Sequence, residues 1–178
     1  MSIWKYFYLF IILSYSSFGQ GLKTNGDKIV DHNGNEVILR GMGLGGWMLM
    51  EGYMMQSSDV ADTQHEFRER LIELIGTAKT DEFFDSWHKN HVTKADIDSL
   101  ASWGFNSVRL PMHYNLFTLP IEDEPILGEN TWLEKGFTMV DDLLDWCKSN
   151  EMYLILDLHA APGGQGANAA ISDYDSDL

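Results

Sequence analysis

The sequence has 178 residues, with 12 Lys+Arg against 27 Asp+Glu for a formal charge of −15, 44% hydrophobic residues and a single Cys. That composition is globular rather than disordered or collagenous, and a lone Cys forms no internal disulfide, which excludes a cystine scaffold. The acidic balance excludes a nucleic-acid binder, because tracking phosphates needs clustered Lys and Arg.

The first twenty residues follow the three-part grammar of a secretory signal: basic Lys5, apolar Tyr6 to Leu13, polar Ser14 to Ser17, then small Ser17 and Gly19 placed for cleavage before Gln20. The apolar run falls short of the roughly 20 residues a membrane span needs. The expectation is export, to the periplasm or the medium. Residues 1–19 are then a signal peptide, residues 20–178 the folded part, and no membrane attachment survives signal removal.

Lys28–Val30 and Glu36–Leu39 flank Asn33-Gly34, a strong hairpin signal. Beyond Arg40 comes Gly41-Met-Gly-Leu-Gly-Gly46, then an aromatic and Met-rich loop from Trp47 to Met55. Helical periodicity starts near Thr63, with Phe67, Leu71, Leu74 and Ile75 on one face and Gly76 as the stop. A second helix is predicted over Asp81 to Asn90, turning Phe83, Phe84 and Trp87 inward. Thr93 and Asp96 form a capping box for a third, which ends at Gly104.

Then the period switches. Asn106 to Leu110 reads as a short strand ended by Pro111, followed by a loop to about Trp132. A helix spans Leu133 to Ser149, with Phe137, Val140, Leu143, Leu144 and Cys147 on its apolar stripe and Asp142 and Asp145 toward water. Cys147 on that stripe is a buried, inert thiol. Tyr153 to Leu158 is an almost continuous apolar run, as expected of a parallel strand covered on both faces. Strands alternating with helices define an α/β protein with a parallel sheet.

Two residues break the apolar rule for buried strands. Arg109 and His159 sit at equivalent C-terminal strand ends, the edge where α/β proteins build their sites. Gly41-x-Gly43-x-x-Gly46 matches a dinucleotide fingerprint in letters, but no helix cap follows the last glycine. Asp173-x-Asp175-x-Asp177 opens like a calcium loop yet has Leu178 where glycine belongs, and reads as a surface turn. Asp157, His159 and His113 could seed a metal site, without further ligands at metal spacing. Trp47, Tyr53, Tyr114, Phe117 and Trp132 fall in loops after strands. Aromatic faces in a polar cleft suit pyranose rings, whose axial faces are apolar and edges hydroxylated.

Leu39-Arg-Gly-Met-Gly-Leu-Gly-Gly-Trp47 with Glu51, Trp103-Gly-Phe-Asn-Ser-Val-Arg-Leu-Pro111, and Leu156-Asp-Leu-His-Ala-Ala-Pro-Gly-Gly-Gln165 together resemble glycoside hydrolase family 5. The resemblance runs over about residues 25 to 170 and implies a (β/α)8 TIM barrel, of which the N-terminal hairpin and about strands one to three are present. It implies that Arg109 orients and charges a nucleophilic carboxylate, that His159 lines the −1 sugar subsite, and that Glu51 holds a terminal glucose. Trp47 and Tyr114 are the aromatic candidates beside them. Met42-Gly43 departs from the Val-Asn usual in the exo-glucanase branch, which leaves the linkage open.

The implied reaction is retaining hydrolysis of a β-linked glucan or oligosaccharide, with no cofactor, by two carboxyls about 5–5.5 Å apart. In the family both are glutamates, at strands four and seven. No Glu here has the Asn-Glu-Pro context; Glu124-Pro125 follows Asp123 instead. The expectation is that both lie beyond residue 178 and that these residues alone are inactive. The competing expectations are a non-catalytic carbohydrate-binding barrel and a metal-dependent hydrolase using His113, Asp157 and His159.

Overall fold

The computed structural model describes residues 21–120, 123, 125–126, 128–166 and 172–175. The signal segment, Glu124 and Asp177 lie outside them. The chain divides into two compact units, one up to Ile38 and one from Leu39 onward.

In the first unit, β1 (Lys23–Asn25) pairs antiparallel with β2 (Lys28–Val30). The turn is Gly26-Asp27, with Gly26 at φ 64. The predicted hairpin around Asn33-Gly34 is present but shorter than expected, with an antiparallel bridge from Val30 to Glu36 and bonds from Val37 N to Ile29 O of 2.8 Å and from Asp31 N to Asn35 O of 2.9 Å. The reason is Asp31. Its carboxylate accepts from Asn33 N at 2.9 Å, Asn35 N at 2.8 Å and Asn35 Nδ2 at 3.1 Å, which winds the segment into a side-chain-capped turn.

The second unit is built on a parallel sheet of order β3-β4-β5, formed by Gly41–Gly43, Ser107–His113 and Tyr153–Ala160. The α/β class with a parallel sheet is as predicted. The described strands form an open sheet, not a closed barrel. Two helices return between strands, α4 (Lys94–Ser102) and α5 (Glu134–Ser149). Val108, Leu110 and Met112 meet Ile97 and Leu100 of α4 and Leu143 and Cys147 of α5 in one core. Strand alternation sends Arg109 to the opposite face. Burial pushes the Cys147 thiol up to about 11, as befits an inert core cysteine.

Between β3 and α4 lie a short helix α1 (Gly52–Met55) and a helical pair, α2 (Gln64–Ile75) and α3 (Thr77–Asn90). α2 opens on a capping box of Thr63 and Glu66. α3 begins earlier than predicted, directly after Gly76. The aromatic seam of the pair runs through Phe67, Phe83 and Trp87, with centroids 6.1 Å apart at each step. Leu74, expected inward, is 78% exposed, because the seam ends before the last turn of α2.

β4 does not stop at Pro111 but continues to His113, with a register shift between Met112 and His113. Arg109 O accepts from Leu44 N and His113 N donates to Met48 O, so Pro111, at the position between, would aim its missing N–H at the stretch where the chain leaves the sheet. β5 also departs from expectation: Ile155, Leu156 and Leu158 are 41%, 54% and 51% exposed. Among the described residues it pairs along one edge only, and α5 covers it near Leu154 rather than throughout.

Candidate active site

The C-terminal edge of β4 and β5 gathers charge. Arg109 and Ile155 are register partners, as are Pro111 and Asp157, so Arg109, Asp157 and His159 share one face of the sheet. The Arg109 guanidinium donates through Nη2 to Asp157 Oδ2, and the same nitrogen lies 3.1 Å from His159 Nδ1. His159 Nδ1 also lies 3.0 Å from Asp157 Oδ2, so the ring meets both charges through Nδ1 and leaves Nε2 on its far side. That nitrogen faces Glu51 Oε1 at 3.5 Å.

Glu51 reaches this edge from a buried segment. Trp47, Met48, Leu49 and Met50 are each at most 2% exposed, which fixes the chain just before it. Gly52, just after it, passes so close to Asp62 that a Cβ there would meet Asp62 O at 2.6 Å. Gln64 Oε1 accepts from Met50 N at 2.8 Å and pins the same turn to α2. Interaction with the Glu51 carboxylate, then burial and the Glu51 charge, opposed by Arg109, hold the Tyr53 phenol pKa above its ordinary range. The result is two carboxylates, a guanidinium, an imidazole and a phenol at one strand edge. Alternating donors and acceptors of this kind can grip vicinal hydroxyls of a ring.

A second assembly lies at the ends of β4 and α2. His113 Nδ1 accepts from Asn115 N at 3.1 Å, so its Nε2 carries the proton and donates to Asp173 Oδ2 at 2.6 Å. Asp173 Oδ1 accepts from His65 N and His65 Nδ1, both at 2.9 Å. Burial alone would raise the Asp173 pKa, yet the bonds from His113 and His65 outweigh it and hold the carboxyl below its ordinary value. Asp173 is therefore a buried anchor, not the surface turn expected of the Asp-x-Asp-x-Asp segment.

The structure thus brings Glu51, Arg109 and His159 together. It takes Trp47 elsewhere. Trp47 is 2% exposed, donates Nε1 to His88 O at 2.8 Å and stacks on Trp146 at 6.4 Å, so neither ring face is open to a sugar. Tyr114 stacks on His113 at 4.9 Å, beside the second assembly. His113 is committed to Asp173 and Asn115 rather than to Asp157 and His159. Among the described residues no group of three His, Cys, Asp or Glu has the arrangement of a metal site. The dinucleotide reading also fails, since Gly46 leads into the buried Trp47–Met50 segment instead of a helix N-terminus. Sequence reasoning passed over Asp157 as a partner of Arg109. Its spacing of two from His159 on a strand was the available signal.

A parallel sheet with helical returns and charged residues gathered at its C-terminal edge is the arrangement on which barrel-type enzymes build their sites. Residues 30–177 match the family model for cellulase (glycosyl hydrolase family 5), and the chain belongs to that family. It is 40% identical over 147 residues to a beta-xylosidase of Phanerodontia chrysosporium, covering 83% of this chain and 29% of that protein. It is 29% identical over 146 residues to glucan 1,3-beta-glucosidase 2 of Wickerhamomyces anomalus, covering 76% and 32%. The crystal structure of rutinosidase from Aspergillus niger superposes with a TM-score of 0.57 at 25% identity, over 75% of this chain and 36% of that one. The chain spans about a third of the length of these relatives.

Proposed function

We propose that this chain forms the sugar-holding part of an exported β-glycosidase that acts on β-glucan-type chains or oligosaccharides. The observation that carries the reading is the Glu51–His159–Arg109–Asp157 cluster at the C-terminal strand edge. In it, Glu51 and the His159 ring grip hydroxyls of the sugar. Arg109, steadied by Asp157, presents positive charge where a nucleophilic carboxylate stands. The acid/base and nucleophile glutamates come from later strands of a (β/α)8 barrel, spaced for a retaining double displacement. Family membership and relatives named for glucan and xyloside cleavage support the substrate class. The signal-like first nineteen residues support export.

The test uses the intact protein with aryl β-glucosides, aryl β-xylosides and short β-glucans. Arg109, 46% exposed at its side chain, can be replaced without opening the core. Arg109→Ala is expected to cut turnover at least about tenfold at nearly unchanged melting temperature. Near-normal turnover would remove Arg109 from the site. No cleavage of any β-glycoside by the unaltered protein would end the enzymatic reading.

A further inference from the structure

We propose that Asp173 is a positioning residue of the sugar site, the point at which three separate stretches bearing that site are locked together. The inference rests on the proposed sugar-binding reading of the Glu51 cluster and adds a residue outside it. Asp173 touches none of Glu51, Arg109 or His159 in the contacts described above. It acts through what it holds.

The first stretch is the one carrying Glu51. Gln64 accepts from Met50 N, and Asp62 O accepts from Gly52 N at 3.2 Å, so the residues on either side of Glu51 hang on the start of α2. Asp173 grips that start through both the backbone and the side chain of His65. The second stretch is β4. His113, 2% exposed at its side chain, gives its Nε2 proton to Asp173, while its backbone N donates to Met48 O at 3.2 Å, on the segment leading to Glu51. The third is the loop after β5, which begins two residues past His159. Gln165 Nε2 donates to Leu158 O at 2.6 Å, Gln165 N donates to Ser172 Oγ at 3.1 Å, and Asp175 N reaches Gly163 O at 3.4 Å. Residues on both sides of Asp173 thus bind the loop back onto the strand end that holds the catalytic-edge histidine.

The proton inventory makes the carboxylate hard to replace. His113 Nδ1 must stay unprotonated to accept from Asn115 N, so Nε2 must donate. An amide at position 173 has one oxygen for three N–H groups, and its NH2 would confront either His113 or His65. Even Asp173→Asn therefore breaks the lock at nearly constant volume.

The decisive measurement is KM and kcat of the intact protein on an aryl β-glucoside, with glucose affinity by NMR titration, for Asp173→Asn and for His65→Ala. His65 is 35% exposed at its side chain, so the second variant tests the lock without a buried change. The expected result is a rise in KM and in the glucose dissociation constant of roughly tenfold for Asp173→Asn, and a smaller rise for His65→Ala. A purely structural role would lower the melting temperature and the active fraction while leaving KM and glucose affinity of the folded molecules unchanged. That outcome in both variants would overturn the proposal. Should Asp173→Asn fail to fold, unchanged KM and affinity in His65→Ala would overturn it alone. An unaltered protein that neither cleaves nor binds would instead overturn the sugar-site reading, and this proposal with it.

Discussion

Gly136 in the first turn of α5 offers a test in which the sign of a mutation is set by tertiary contact against local propensity. On helix propensity alone, Gly136→Ala should stabilise by about 0.5–1 kcal/mol, since alanine has less backbone freedom to lose. The structure argues the reverse. A Cβ at this position would lie 2.5 Å from Leu116 O, 2.8 Å from Leu116 C and 2.9 Å from Phe117 Cδ1. The two closest atoms are backbone of the 3₁₀ turn Tyr114–Leu116, so no rotamer change relieves them. Either α5 or that turn must move, and Leu143 and Cys147 on α5 are fully buried against the sheet. Overpacking of this kind costs about 1–3 kcal/mol. The net expectation is a loss of about 1–2 kcal/mol, or roughly 2–8 °C in melting temperature for a chain of this size. Urea titrations followed by circular dichroism and tryptophan fluorescence read it, with exposed Ser86→Ala in α3 as the propensity yardstick, expected to gain a few tenths of a kcal/mol. A Gly136→Ala protein as stable as the original would refute the packing argument.

Two further predictions follow from buried titratable groups. Cys147, whose thiol is pushed up to about 11, should resist a thiol reagent at pH 8 in the folded protein and react at once in denaturant; labelling of the native state would contradict its burial. Burial and then the Lys135 charge, only partly opposed by Asp85, press the His88 pKa down from 6.5 to about 4. Unfolded chains therefore take up this proton first, so its contribution to stability is full above about pH 6.5 and is lost as pH falls toward 4. Urea midpoints at pH 7 and 4.5 should differ less in His88→Leu than in the original, and an unaltered difference would dismiss His88 as a source.

How much was legible in the sequence depended on how local the cause was. The helix start near Thr63, the capping box at Thr93, the stop at Gly76 and the burial of Leu143 and Cys147 are written within one helical turn and stand where they were read, whereas Phe137 and Leu144 of the same predicted stripe are 40% and 49% exposed. Arg109 and His159 were legible because a charge inside an apolar strand is conspicuous. Asp157 was harder, because its partner Arg109 is 48 residues away. Trp47 misled because a tryptophan after glycines looks the same whether its face meets a sugar or Trp146. The hairpin at Asn33-Gly34 was legible from its turn residues, whereas the tighter one at Asn25-Gly26, which joins β1 to β2, was passed over although it carries the same signal. The Asp173 anchor had no sequence signal at all, since its partners are His65 and His113.

Pro111 gives β4 a property that outlasts any single contact. A strand paired on both sides could slide by two residues and still satisfy every amide, keeping the same side chains on each face. Pro111 removes one donor from the ladder on the β3 side, at the place where the Gly45–Trp47 stretch has already departed. Extending or shifting β3 along β4 would leave a carbonyl facing a ring with nothing to offer. The proline thus acts as a keyed tooth: it lets β3 mesh at one offset, with Gly43 beside Arg109, and so sets where the chain leading on to Glu51 departs from the sheet.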